Sequence, residues 1–153
     1  MRKYLKFLIC IIVVLALWAV PFKVVVVKGD SMLPNLKNNQ VLLAAKSNNF
    51  SVGDIVVAKN DYNETIIKRI KFVDNEIYYY VLGLHSEEIE IYDEHVGLMA
   101  LKYYKGNDQY LVMKQIVPKN NVYLLGDNLD NSDDSRRFGP IEKKDIMYKV
   151  IIK

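Results

Sequence analysis

The sequence predicts an all-β domain behind a single N-terminal transmembrane helix. Three observations carry that expectation. Residues 7–22, FLICIIVVLALWAVPF, form an uncharged apolar run, and after it come eight short runs rich in Val, Ile and Tyr, broken by Gly, Pro, Asn and Asp. Beyond residue 22 no stretch keeps a helical period of apolar positions for three turns. β-Branched and aromatic side chains fit the half-buried surface of a pleated sheet, so the short runs read as strands.

The apolar run is just long enough to span a bilayer, since about 20 apolar residues cross the hydrocarbon core and the range begins near 17. Leu5 extends it if the stem of Lys6 reaches toward the headgroups. Arg2, Lys3 and Lys6 precede it with no acid among the first 22 residues. That asymmetry keeps the N-terminus in the cytoplasm and sends the remainder of the chain across the membrane, with Trp18 near the far interface. A cleaved leader is the alternative. Ala16 and Ala19 have the wrong spacing for an Ala-x-Ala cleavage site, which favours a retained anchor. Cys10 within the run reads as a small apolar filler. The expected organisation is thus a cytoplasmic tail over 1–6, an anchor over 7–22 and an extracytoplasmic domain over 23–153.

The 153-residue chain carries a net charge of +3, from 21 Lys plus Arg against 18 Asp plus Glu. The three N-terminal cations account for the whole excess, so the exported part is balanced. A nucleic-acid binder would hold its basic surplus on the folded part, so that class of partner is excluded. A single Cys excludes a disulfide framework.

In chain order the predicted strands are 24–28 (VVVVK), 41–45 (VLLAA), 55–59 (IVVAK), 65–73 (TIIKRIKFV), 76–82 (EIYYYVL), 110–117 (YLVMKQIV), 122–125 (VYLL) and 146–152 (IMYKVII). Gly29, Gly53, Gly126 and Gly139, with Pro34 and Pro140, mark the reversals between them. Residues 83–109 are the least regular. Their acidic run HSEEIEIYDEH, with His85 and His95 at its ends, reads as a solvated face in preference to a metal site.

Three segments put unusual residue types beside turns. GDSMLP, Gly29 to Pro34, sets Ser31 at a strand-to-turn junction, where its hydroxyl and backbone N–H can face one point, as nucleophilic attack and oxyanion stabilisation require. Gly-Asp-Ser is also ordinary turn chemistry, and alone the motif favours that reading. In Ile66-Ile67-Lys68-Arg69-Ile70, strand alternation turns one of two adjacent bases inward. A Lys among aliphatic side chains loses solvation of its ammonium form and can act as a neutral base; an edge lysine that blocks aggregation is the equal alternative. The third segment, Gly126 to Gly139, reads GDNLDNSDDSRRFG. It does not fit a calcium loop, because no Glu closes the twelfth position and Arg136 and Arg137 stand where ligands should be.

In this order the anchor, GDSMLPNL, the Gly53-Asp54-Ile55-Val56 turn, Lys68-Arg69 and GDNLDNSDDSRRFG resemble the type I signal peptidases, membrane-anchored Ser/Lys endopeptidases of exported preproteins. The resemblance implies a coiled antiparallel β-sheet, no cofactor and no metal. It makes Ser31 the nucleophile and Lys68 the general base, with Lys in place of His pointing to the bacterial type. It implies that Ser132 hydrogen-bonds the Lys68 amine and that Asp127, Asp134, Arg69 and Arg136 form ion pairs holding the site walls. Gly29 stands where some relatives have a Ser donor to the oxyanion. The partners implied are the lipid bilayer and preprotein signal peptides, the latter lying extended beside Val24–Asp30 and Ile66–Lys68 with Val25, Val27, Met32 and Ile67 as candidate pocket walls.

The chain departs from the family after Lys68-Arg69, where Lys71-Phe72-Val73-Asp74-Asn75-Glu76 replaces the usual Gly and Pro-Gly-Asp turn and must reverse through Asp74-Asn75. The segment from about 76 to 118 is short and unusual, a variable cap compatible with a dedicated surface or pilus substrate. A catalytically silent relative acting as an assembly or binding factor is the competing reading. A self-cleaving repressor-like protein is disfavoured, because an anchor occupies the place of the DNA-binding domain. The sequence leaves the oligomeric state open.

Overall fold

The computed structural model describes residues 22–85 and 89–152. Among these, ten strands form two antiparallel sheets, which bears out the all-β expectation. The larger sheet contains β1 (Phe22–Val26), β2 (Val41–Ala45), β3 (Ile55–Lys59), β4 (Thr65–Val73), β8 (Asn121–Leu125), β9 (Ile141–Glu142) and β10 (Ile146–Ile152), in the order β1-β2-β10-β3-β4-β8-β9. The smaller contains β5 (Ile77–Gly83), β6 (Ile89–Asp93) and β7 (Tyr110–Ile116), in the order β6-β5-β7. Four of the turns between strands use Asn: Asn39, Asn63, Asn75 and Asn120 take positive φ, a conformation that Asn tolerates better than most residues. The Asp74-Asn75 reversal expected between β4 and β5 is one of these.

The expected anchor lies outside the described residues except at Phe22, which is the first residue of β1 and pairs with Ala45. Among the described residues no helix is long and apolar enough to cross a membrane.

Besides short helical turns, three elements differ from expectation. Residues 89–93 of the acidic run form β6, paired with β5 from Tyr78↔Asp93 to Leu82↔Ile89, and Ile89 and Ile91 are half-buried. The solvated-face reading is corrected there, because the Ile-Glu-Ile alternation of a strand is masked by its charges. Residues 86–88 of the same run lie outside the described residues. Glu94–Tyr103 form helix α1, capped by the Asp93 side chain, which accepts from Val96 N. Helical periodicity is invisible in it because the residues it buries are Gly97 and Ala100, while Val96, Leu98, Met99 and Leu101 stay exposed. The third, β9, has two residues and is too short to signal itself.

The core divides into three clusters. Val56, Ala58, Ile70, Val122, Leu124, Ile141 and Ile146 fill one side of the large sheet. Val27, Met32, Leu36, Leu42 and Ile55 form the second, beneath the turn after β1. Phe72, Tyr78, Val117, Tyr123 and Leu125 form the third, where the small sheet meets the large one. There Tyr78 packs on Tyr123 with ring centroids 4.7 Å apart and on Phe72 at 5.4 Å, contacts worth about 0.5–1.5 kcal/mol each beyond area burial.

Gly97 brings α1 onto β5: a Cβ at this position would overlap the Tyr79 ring. Gly97→Ala is therefore expected to destabilise the protein by about 1–3 kcal/mol through overpacking, read as a lower urea midpoint. An unchanged midpoint would show that α1 does not depend on this close approach.

Candidate active site

The side chains of Ser31 and Lys68 meet. Lys68 Nζ stands 2.7 Å from Ser31 Oγ although the residues lie 37 positions apart. Lys68 is on β4 and Ser31 follows β1, with β2, β10 and β3 between those strands. Four interstrand steps would separate two strands of a flat sheet by about 19 Å. The sheet must curl for this contact to exist, and its register shifts in β10 and β4 mark where it bends.

The turn carrying Ser31 is held on three sides. Past the end of β1, Val27 N donates to Gln40 O and Asn39 N to Val27 O, both at 2.9 Å, so the chain stays attached to the sheet as it leaves the strand. Gly29 reverses it with φ +81°, and its N–H donates to Asn38 Oδ1. Met32 and Leu36 then plunge into the second core cluster, bridged by the bond from Leu36 N to Met32 O. Between these apolar anchors Ser31 stays half-buried.

On β4, alternation separates the two bases. Lys68, opposite Val56, is 4% exposed. Arg69 points the other way and grips Asp127 through two bonds, from Nε to Oδ1 and from Nη2 to Oδ2, both 2.7 Å, while its Nη1 donates to Gly53 O. Asp127 also accepts from Asn35 Nδ2 of the nucleophile's turn. Its neighbour Asn128 completes the clamp: the backbone N–H donates to Ser31 O at 3.0 Å and the side-chain amide to Asp30 O at 3.1 Å. Gly126 fits because a Cβ there would overlap the Ser132 side chain and the Ser31 carbonyl.

Asp134 organises the rest of the polar segment. It is fully buried, caps the short helix α2 (Ser135–Phe138), accepts from Gly126 N at 3.0 Å, and pairs with Arg136 through Nε at 2.8 Å and Nη2 at 3.0 Å. Burial alone would push its carboxyl pKa up, but the Arg136 guanidinium and the Gly126 N–H hold it below the usual range. Arg136 also donates to Leu129 O and Ser132 O and so closes the loop. Ser135 Oγ accepts the buried N–H of Leu124 on β8.

The Lys68 amine is pulled below its ordinary pKa, first by burial; Asp134 and Asp133 pull it back up and Arg136 pulls it down. Burial outweighs the two carboxylates, and the Arg136 guanidinium adds a smaller push in the same direction. The arrangement can therefore supply a neutral amine against a hydroxyl, which is the chemistry of base-assisted nucleophilic attack.

The structure brings Ser31, Lys68, Arg69, Asp127, Ser132, Asp134 and Arg136 into one neighbourhood. The bond expected from Ser132 to the Lys68 amine is not among its contacts: Ser132 Oγ is buried without a hydrogen-bond partner, near enough to the Asp134 carboxylate to help depress its pKa. Of the four pocket candidates, Val27 and Met32 are 2% and 1% exposed inside the second core cluster, which leaves Val25 and Ile67 with accessible side-chain surface. Sequence reasoning missed Asn128, Asn35 and Ser135. The Gly-Asp-Asn triplet holding Asn128 stands out by its composition, but no sequence signal ties a particular amide to a backbone carbonyl 98 residues away.

All 153 residues match the family model described as signal peptidase, peptidase S26. The chain belongs to the S26 signal peptidase family. It is 34% identical to mitochondrial inner membrane protease subunit 1 of Xenopus tropicalis over 78% of this chain and 60% of that protein. It is 28% identical to signal peptidase I P of Bacillus subtilis subsp. natto, over 92% of this chain and 80% of that one. An inactive signal peptidase IA of Staphylococcus aureus is 26% identical, over the whole of this chain and 92% of its own length.

Burying the Lys68 amine sets a sign for stability. With its folded pKa below the ordinary 10.5, the unfolded chain binds the extra proton between the two values, so stability rises with pH across that window and is lowest below it. Lys68→Met is expected to raise stability at neutral pH by roughly 1–3 kcal/mol, a gain that shrinks as pH approaches the ordinary lysine value. Chemical denaturation at several pH values measures it; a gain independent of pH would mean that Lys68 is not buried at a cost.

Proposed function

We propose that this chain is an active Ser/Lys endopeptidase, a membrane-bound signal peptidase that cuts N-terminal signal peptides from exported preproteins after small residues. The single observation that carries the reading is the 2.7 Å contact between a buried Lys68 amine and the Ser31 hydroxyl. When the amine is charged it donates to Ser31; when neutral it accepts the Ser31 proton. In the proposed reaction Ser31 Oγ attacks the scissile carbonyl as Lys68 takes that proton, the Ser31 N–H stabilises the oxyanion, and the protonated amine delivers its proton to the leaving amine. Water, deprotonated by the same amine, then releases the acyl group. The bonds from Asn128 to the Ser31 and Asp30 carbonyls hold the backbone that presents that N–H.

The expected anchor at residues 7–22 supports a single-pass topology with the catalytic domain outside the cytoplasm, where signal peptides emerge. The frog relative, a mitochondrial inner membrane protease subunit, supports the membrane location. The second reading, a silent relative serving as a binding or assembly factor, is favoured by one observation: a staphylococcal protein matching the whole chain is described as inactive. The Ser31–Lys68 contact weighs against it.

Co-expression with a preprotein separates the two. Wild type should release the mature protein, and Ser31→Ala or Lys68→Ala should cut processing by about 10³-fold or more. Equal processing in all three, or none in any, contradicts the enzyme reading. In the wild type kcat/KM should rise with pH through a midpoint below that of an ordinary lysine, because only the neutral amine is a base.

A further inference from the structure

The small sheet leaves one edge open beside the site. Among the described residues β6 pairs only with β5 and ends its sheet, so its other edge presents backbone N–H and C=O groups with no strand beside them. Beside that edge is a groove of about 640 Å³, lined by the four consecutive residues Ile89–Tyr92 together with Leu125, Leu129, Ser132 and Arg136 among others. Successive side chains of a strand point to opposite faces, so a cavity bordered by four in a row follows the strand's edge and does not lie over one face.

The groove lies beside the Ser31–Lys68 site without including either residue. Ser132 lines it, and Gly126 is wedged between the Ser132 side chain and the Ser31 carbonyl. Its lining takes nothing from β1 or from Ile66–Lys68, the segments expected to hold the leader. What remains for it is the other half of a bound chain. Leu129 fits that role: in the most polar segment of the protein it is apolar and 53% exposed, and it lines the same groove as Ile89 and Ile91.

We infer that this groove binds the mature side of the substrate, the first four or five residues after the scissile bond, as an extended strand added to the free edge of β6. The inference rests on the peptidase reading. Backbone pairing to an edge strand accepts varied side chains, as a site that must pass many mature sequences requires. The five residues of β6 give a pairing length of about 16 Å, and the leaving chain is held in line while Lys68 protonates its amine.

The test uses the 153-residue chain in detergent micelles and peptides identical up to the cleavage point that carry one, three or six residues after it. In the wild type kcat/KM is expected to rise about tenfold from the shortest to the longest, a gain of about 1.4 kcal/mol in the barrier. Leu129→Asp, a change at an exposed position, should remove most of that gain, so that the longest peptide is cut little faster than the shortest. Backbone N-methylation of the six-residue tail should return kcat/KM to the short-peptide value at alternate positions and do little between them, a pattern that only strand pairing produces. Cleavage indifferent to tail length, or N-methyl effects without alternation, overturns this inference and leaves the peptidase reading standing. No cleavage of any peptide by the wild type overturns both.

Discussion

A lysine amine buried within 2.7 Å of a serine hydroxyl makes two conflicting demands on the protein around it. The amine must be dry enough to give up its proton near neutral pH, yet the neighbourhood must hold enough charge to fix two distant loops in place. The structure answers with paired charges around an amine whose pKa burial lowers. Asp134 is fully buried but spoken for by Arg136 and the Gly126 N–H, and Asp127 is gripped by Arg69 on the opposite face of β4 from Lys68. Each carboxylate thus does mechanical work while its field at Lys68 is reduced by an adjacent guanidinium.

Those pairs also explain why one polar segment carries so much of the architecture. Between Gly126 and Gly139 the chain clamps the Ser31 turn through Asn128, ties β4 to the turn through Asp127, terminates β8 through Ser135 and caps its own helix through Asp134. The curled sheet brings β1 and β4 toward one another, but the segment sets the final ångströms. Buried polar networks of this kind are stabilising only when nearly every member is satisfied. Two hydroxyls, Ser132 Oγ and Tyr123 Oη, are buried here without partners. Both lie close enough to Asp134 to interact with its charge.

Much of this is legible in the residues. Strand alternation alone places one of Lys68 and Arg69 inward, and the density of Asp, Asn, Ser and Arg after Gly126 marks the segment that organises the site. The features that are not legible share a cause. Helix α1 buries Gly97 and Ala100, residues too small to write a hydrophobic period, and β6 hides its alternation among acids. The depth of Val27 and Met32, and the amides that clamp Ser31, are products of tertiary packing between segments far apart in the chain. Local pattern predicts which elements form; it does not say which side chain a curled sheet will close over.

Catalysis by this site requires a Lys68 amine that is neutral near physiological pH. Its titration can be followed directly, by selective carbon-13 labelling of lysine and the pH dependence of the Lys68 side-chain NMR signal, assigned by comparison with Lys68→Met. The predicted midpoint lies clearly below the ordinary lysine value of 10.5 and moves upward when Arg136 is replaced by Gln, which leaves Asp134 unopposed. A midpoint at or above 10.5 in the wild type would contradict that requirement, because a permanently charged Lys68 could hold Ser31 in place but could not take its proton.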